Sequence, residues 1–163
     1  MEVEFRQITK DDYNQVAEIF RQGIETGNAT FETQIPSWKK WDSAHIQSCR
    51  IVAILDSTVI GWAALIPVST RKVYIGVCEI SIYISKNYRG LKIGNKLLER
   101  LIDESEKEGF WTLQAGIFPE NSASIRLHQN HGFRIVGYRE KIGQMNGIWR
   151  DTLLLERRSK KMN

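Results

Sequence analysis

The chain has 163 residues, 42% hydrophobic and 26% charged, with a formal net charge of +4. That is enough for one domain, residues 1–163, burying roughly two thirds of its unfolded surface, and the composition is that of an ordinary globular protein. No apolar run approaches the ~18 residues of a membrane span, the opening MEVEFRQ lacks a signal-peptide pattern, and the basic end 157-RRSKKMN-163 has no interleaved aromatic or glycine to make it a nucleic-acid arm. The expectation is a cytoplasmic protein with a frayed tail over 157–163, no membrane and no nucleic-acid partner.

Residues 3–8 read as a strand. Thr9 and Asp12 have capping-box spacing, with Asp in the usual Glu/Gln place. Tyr13, Val16, Ala17, Phe20 and Ile24 then recur at helical spacing, and Gly27 is a stop. Ser37 can cap a second short helix carrying Trp38 and Trp41. The runs 51-IVAIL-55 and 59-VIGWAALI-66, joined by Asp56-Ser57-Thr58, predict a hairpin. A loop through 67-PVSTRK-72 leads to the alternating strand 78-CEISIYIS-85. A helix from about 94 to 108 puts Ile93, Leu97, Leu98, Leu101 and Ile102 on one face and stops at Gly109. A strand over 111–118, a helix from 119-PENSAS-124 to His131, and strands near 133–142 and 148–156 follow. The order β α α β β β α β α β β predicts a mixed α/β domain.

The loop before the third helix breaks the usual rules. Helices favour Ser, Thr, Asp or Asn caps and acidic first turns, yet this one offers Arg89, Gly90, Lys92 and Gly94. Bare amides at a helix start, with two cations beside them, are a place for an external anion. The spacing fits neither the Walker A loop, since Gly90 to Gly94 is one residue short, nor the dinucleotide fingerprint.

The run R-G-x-x-I-G after an alternating strand, and 121-NSASIRLHQNHGF-133 downstream, resemble the acetyl-CoA loop and the Asn-x-x-Ser/Ala helix of the GNAT superfamily of N-acetyltransferases. The element order agrees over nearly the whole chain. Four stretches, 28-NATFET-33, 79-EISIYIS-85, 126-RLH-128 and 147-GIWRD-151, are similar to the phosphinothricin and methionine-sulfoximine acetyltransferase branch. The resemblance implies the GNAT acyl-CoA N-acyltransferase fold, a central mixed, mostly antiparallel sheet flanked by helices.

It also implies a cofactor site. Ile82, Tyr83 and Ile84 would pair with the pantetheine arm; Arg89, Gly90, Leu91, Lys92, Ile93, Gly94 and Asn95 would wrap the pyrophosphate; and Asn121 and Ser124 would hold the cofactor from the next helix. Lys92 stands where the family's first loop glycine falls. A left-handed lysine costs roughly 1–2 kcal/mol, so the expectation there is a right-handed backbone with φ near −60°.

Acetyl transfer to an amine needs a proton acceptor for the nucleophile. By alternation Glu79, Ser81 and Tyr83 share a strand face, and between Cys78 and Ile80 a carboxyl can have its pKa raised by desolvation. The branch resembled places its base at Glu79 and a catalytic partner at His128. For the acceptor it implies Ser69, Thr70 and Arg71 with Glu79, Ile80 and Ser81, and Arg71 is the expected reader of an anionic group. Phe31, Trp38, Trp41 and Trp149 are candidates for an apolar slot, with core packing as the alternative. His128 and His131 lack a nearby acid at ligand spacing, so no metal is expected. Neither Cys49 nor Cys78 belongs to a nucleophile motif, and both read as buried reduced thiols.

These residues lead to an acetyl-CoA-dependent N-acetyltransferase acting by direct attack on a small amino-acid-like amine such as phosphinothricin or methionine sulfoximine or sulfone. The alternatives are acetylation of a protein N-terminus or a polyamine, and a non-catalytic CoA-binding module. The resemblance further implies a homodimer, which no feature of the sequence itself shows.

Overall fold

The computed structural model describes residues 2–163. The expected order of elements is present: β1 (Glu4–Gln7), α1 (Tyr13–Glu25), α2 (Trp38–Ala44), β2 (Arg50–Leu55), β3 (Thr58–Pro67), β4 (Val77–Ile84), α3 (Ile93–Lys107), β5 (Thr112–Ile117), α4 (Ser122–Asn130), β6 (Arg134–Met145) and β7 (Ile148–Arg158). Short 3-10 turns precede α1 and lie on either side of β4. The strands form one seven-stranded sheet in the order β1-β2-β3-β4-β5-β7-β6. Only β4 and β5 are parallel; every other neighbouring pair is antiparallel.

Burial on both faces explains why β2 and β3 read as nearly unbroken apolar runs. Val52, Ile54, Val59, Trp62 and Ala64 pack with Val16, Ile19 and Phe20 of α1 and Trp41 of α2. Ile51, Ala53, Ile60, Ala63 and Leu65 face the other way, onto Leu97, Leu98 and Leu101 of α3. The β2–β3 turn is the two-residue kind whose central residues are both left-handed, Asp56 at φ 47° and Ser57 at φ 65°, matching the twist of the strands it joins. The entry to α1 is fixed from the sequence positions expected. The Thr9 amide donates to Asp12 Oδ2 at 2.8 Å, and Arg6 donates to both Asp12 oxygens at 2.7 and 2.8 Å.

The parallel pair is what positions the site. β4 is bonded to β3 from Cys78 to Ile84, yet to β5 only at Val77, Cys78 and Glu79. β5 continues along β7 through Ile117, so the two parallel strands diverge just past Glu79. From Ile80 onward, the backbone groups of β4 on that side have no strand partner, and unpaired groups need a ligand or water.

The C-terminal segment departs from expectation. Arg157 and Arg158 belong to β7, and Ser159 is buried, its amide donating to the Trp111 carbonyl at 2.8 Å and its hydroxyl to Glu106. A basic composition suggested fraying, but a strand partner and a buried carboxylate hold the chain as far as Ser159.

Candidate active site

Two cavities meet where β4 and β5 part. The first, about 670 Å³, lies between Ile80–Ile84 and Ala115–Ile117 and runs down to the α3 loop and the start of α4. The second, about 780 Å³, lies toward α2 and β6, walled by Phe31, Trp41, Glu79, Phe118, Arg139 and Ile142 among others. Ile80, Ser81, Tyr83 and Gly116 border both.

Along the first cavity, the loop before α3 leaves cationic side chains and backbone amides open to an anion. Gly90 has φ 79° and Lys92, the residue capping α3, has φ 64° and ψ 16°. The right-handed backbone expected at Lys92 is therefore incorrect: the chain turns left-handed twice in three residues to enter the helix. The cost of roughly 1–2 kcal/mol is small beside the packing of a helix whose Ile93, Leu97, Leu98, Leu101 and Ile102 are buried. No side chain caps α3 and its first turn holds no acid, so its leading amides are free. Gly94 is not required by packing, because a Cβ there would meet Leu127 at an ordinary 3.4 Å. Small size at that position leaves room for a ligand. Arg89, Lys92, Ile93, Gly94 and Asn95 line the cavity, whereas Leu91, 48% exposed, does not. Open strand edge, cationic loop and free amides suit an extended chain ending in phosphates.

Glu79 borders the second cavity at the point of divergence, its carboxylate 3.6 Å from where a Cβ on Gly116 would stand. An alanine at 116 would stand in ordinary van der Waals contact with that carboxylate. Burial raises the Glu79 pKa; the charge of Arg139 and the Gly116 amide pull it down without cancelling the effect. A carboxylate made more basic by desolvation is a suitable proton acceptor. Tyr83 stacks on Trp62 at 5.1 Å, and burial pushes its phenol up to about 12.

His128 borders the first cavity but is only 2% exposed. Its Nδ1 lies 2.7 Å from the Ser124 carbonyl, so this nitrogen donates, and Nε2 is buried with no partner. Burial lowers its pKa, so the ring is neutral near pH 7. His131 likewise turns its Nδ1 to the Leu127 carbonyl at 2.9 Å. Among the described residues no cluster of three or more His, Cys, Asp or Glu could hold a metal.

Asn121 spends its side chain within the protein. Its Oδ1 accepts from the Ser124 amide at 3.2 Å, capping α4, and its Nδ2 donates to the Asn28 carbonyl at 3.2 Å. Arg150 grips the same segment, donating to the Gly27 carbonyl at 2.8 Å and Asn28 Oδ1 at 2.9 Å, with its guanidinium 4.0 Å over the Phe118 ring. The 27–31 segment so held roofs both cavities.

Other expected residues fall elsewhere. Phe31 and Trp41 line the second cavity, while Trp38 is partly buried against Trp41 and Trp149 is 56% exposed and borders neither. Ser69, Thr70 and Arg71 lie outside both: Ser69 borders a separate hollow with Tyr74 and Trp111, and the Arg71 guanidinium sits 5.4 Å over the Tyr74 ring. Arg139, Arg150, Asn28 and Gly116 were missed. For Asn28 and Arg150 the signal lay in the polar residues of 28-NATFET-33 and 147-GIWRD-151; Arg139 and Gly116 lie outside both stretches.

A divergent parallel pair beside a phosphate-type loop can take an extended phosphorylated cosubstrate. The family model described as the Acetyltransferase (GNAT) family matches residues 7–133. The chain belongs to that family, and it is an acetyl-CoA-dependent acyltransferase. It is 30% identical over 153 residues to the phosphinothricin N-acetyltransferase of Streptomyces viridochromogenes, covering 91% of this chain and 84% of the relative. It is 38% identical to the L-methionine sulfoximine/L-methionine sulfone acetyltransferase of Salmonella typhimurium over 78 residues, 48% of this chain and 46% of that one. The crystal structure of a phosphinothricin acetyltransferase from Sinorhizobium meliloti in complex with acetyl-CoA is similar with a TM-score of 0.88 at 28% identity, covering 100% of this chain and 93% of that one.

Proposed function

We propose that the protein transfers the acetyl group of acetyl-CoA to the amino group of a small amino-acid-like acceptor, with phosphinothricin and methionine sulfoximine or sulfone as the leading candidates. The observation that carries this is the meeting of the two cavities at Ile80, Ser81 and Gly116 with Glu79 at the junction. The cosubstrate lies in the first cavity. Backbone from Ile82 to Ile84 lies along its arm, and Arg89, Lys92 and the amides of Ile93, Gly94 and Asn95 hold its phosphates. The acceptor enters the second cavity.

Glu79 removes the proton that the amine must lose. The amine nitrogen attacks the thioester carbonyl, the new C–N bond replaces the C–S bond, and CoA leaves as the thiolate. His128 is held neutral with Nε2 closed off, so we assign it to holding the α4 wall rather than to proton transfer. A homodimer belongs to the same proposal, supported by exposed Ile135, Val136, Tyr138, Ile142 and Ile148 on the outermost hairpin. Its test is the molar mass in solution by light scattering.

The function is tested by incubating the protein and acetyl-CoA with a panel of amines and following free thiol and acceptor mass. The panel holds amino acids, phosphinothricin, methionine sulfone, polyamines and N-terminal peptides. Acetylated amino-acid-like products are expected. Exclusive acetylation of polyamines or peptides would overturn the acceptor class, and CoA binding without turnover on any amine would overturn catalysis.

A further inference from the structure

We infer that Arg139, rather than Arg71, reads the anionic group of the acceptor, so that the second cavity is matched to a molecule carrying an amine and an anion on neighbouring atoms. This rests on the function proposed above and narrows its substrate class. Arg139 lies on β6 opposite Thr152 and lines the same cavity as Glu79. Among the described residues it forms no ion pair with any carboxylate, Glu79 included, although its charge is felt at Glu79. An acid and a cation that border one cavity without closing on each other are both available to a ligand. An α-amino acid supplies the complement: its nitrogen at Glu79 and its carboxylate at the guanidinium. Lys40 also borders the cavity, but its charge is not among those acting on Glu79. Lys40→Ala therefore serves as the comparison variant within the same cavity.

The local backbone is built to aim this side chain. The β6–β7 ladder slips between Arg139 and Gly143, with Lys141 left-handed at φ 47°. Such bulges redirect side chains, and they are frequent beside active sites. Asp151 pins this one: Oδ1 accepts from the Lys141 amide at 2.6 Å, and Oδ2 from the Tyr138 hydroxyl. Just beyond the slip, a Cβ on Gly143 would stand 3.1 Å from the Phe31 ring, so the bulge packs directly on the cavity wall. Arg71 has none of this: it is exposed, lies over the Tyr74 ring and does not line the cavity that Glu79 borders.

The test compares two acceptors in the wild type, Arg139→Ala, Arg139→Lys and Lys40→Ala. One is the best amino-acid acceptor from the panel; the other is the primary amine left when its carboxyl group is removed. Arg139→Ala should raise KM for the amino acid on the order of tenfold, the scale of one solvent-accessible charge-assisted contact, and change KM for the plain amine less than about twofold. Arg139→Lys should recover part of the loss, and Lys40→Ala should not discriminate. The acid limb of kcat/KM should move to higher pH in Arg139→Ala for both acceptors, because the cation that restrains Glu79 is gone. Arg139 is exposed and makes no hydrogen bond that folding needs, so the melting temperature should hold and serves as the control. An equal KM change for both acceptors would overturn the inference and leave Arg139 as a tuner of Glu79. A wild type that acetylates no carboxylate-bearing amine at all would instead overturn the proposed function.

Discussion

At Glu79 a single side chain faces two opposed demands. Burial that makes the carboxylate a better proton acceptor also makes its charged form costly to fold. Its pKa in the folded state lies above the ordinary carboxylate value, so the native state holds the proton to higher pH than the unfolded chain does. The stability it contributes is present at low pH and is lost as pH rises through the folded-state value. Replacing it by Gln, which has the same shape and no charge, should therefore raise the melting temperature at pH 7. That gain should vanish as pH falls below about 4, where Glu79 is protonated in both states. The same variant should lower kcat at pH 7 by about 10²–10⁴, the usual scale for losing a general base, and recover activity as pH approaches the pKa of the amine. Calorimetry and a pH–rate profile check the two halves. A less stable Glu79→Gln at pH 7, or one with wild-type rate, would show that Glu79 is an ordinary packed carboxylate.

At the scale of elements, the turn into α3 carries a left-handed lysine where glycine would be unstrained. Lys92→Gly should move stability and affinity in opposite directions. Relief of a strained backbone should raise the melting temperature slightly, by up to about 1 kcal/mol of stability. Loss of the cation should weaken acetyl-CoA binding a few-fold, less at high salt than at low. Titration calorimetry at two salt concentrations, alongside thermal melts, measures both. Tighter binding in Lys92→Gly would mean that the side chain obstructs the site. The order and type of every element here were legible because apolar period and turn chemistry are local signals. The conformation of Lys92 was not, since only the path between β4 and α3 demands it. β6 reaches Met145, beyond the expected 142, because its charged run 139-REK-141 masks a bulge whose geometry depends on Asp151 of the partner strand. Arg139 was hidden by the same cause. Strand alternation and loop composition put Glu79 and the Arg89–Asn95 loop among the candidates, and the roles proposed for them come from the family resemblance.

At the scale of the molecule, one departure from regular pairing creates both binding spaces. Seven strands would leave no room for a ligand if β4 and β5 stayed bonded; they part after Glu79, and each side of the opening becomes a cavity. The roof at 27–31 spans both, tied to α4 by Asn121 and to β7 by Arg150. Cys49 and Cys78 are fully buried, border neither cavity, and have thiols pushed up to about 11 and about 12 by burial. Neither can serve as an acetyl carrier between two half-reactions. On the proposed mechanism both substrates are bound together, one in each cavity, before the amine attacks. Initial rates measured against acetyl-CoA at several fixed concentrations of the best amine test this most directly. Double-reciprocal lines that intersect are expected; parallel lines, the mark of a covalent acetyl-enzyme, would contradict direct transfer across the opening.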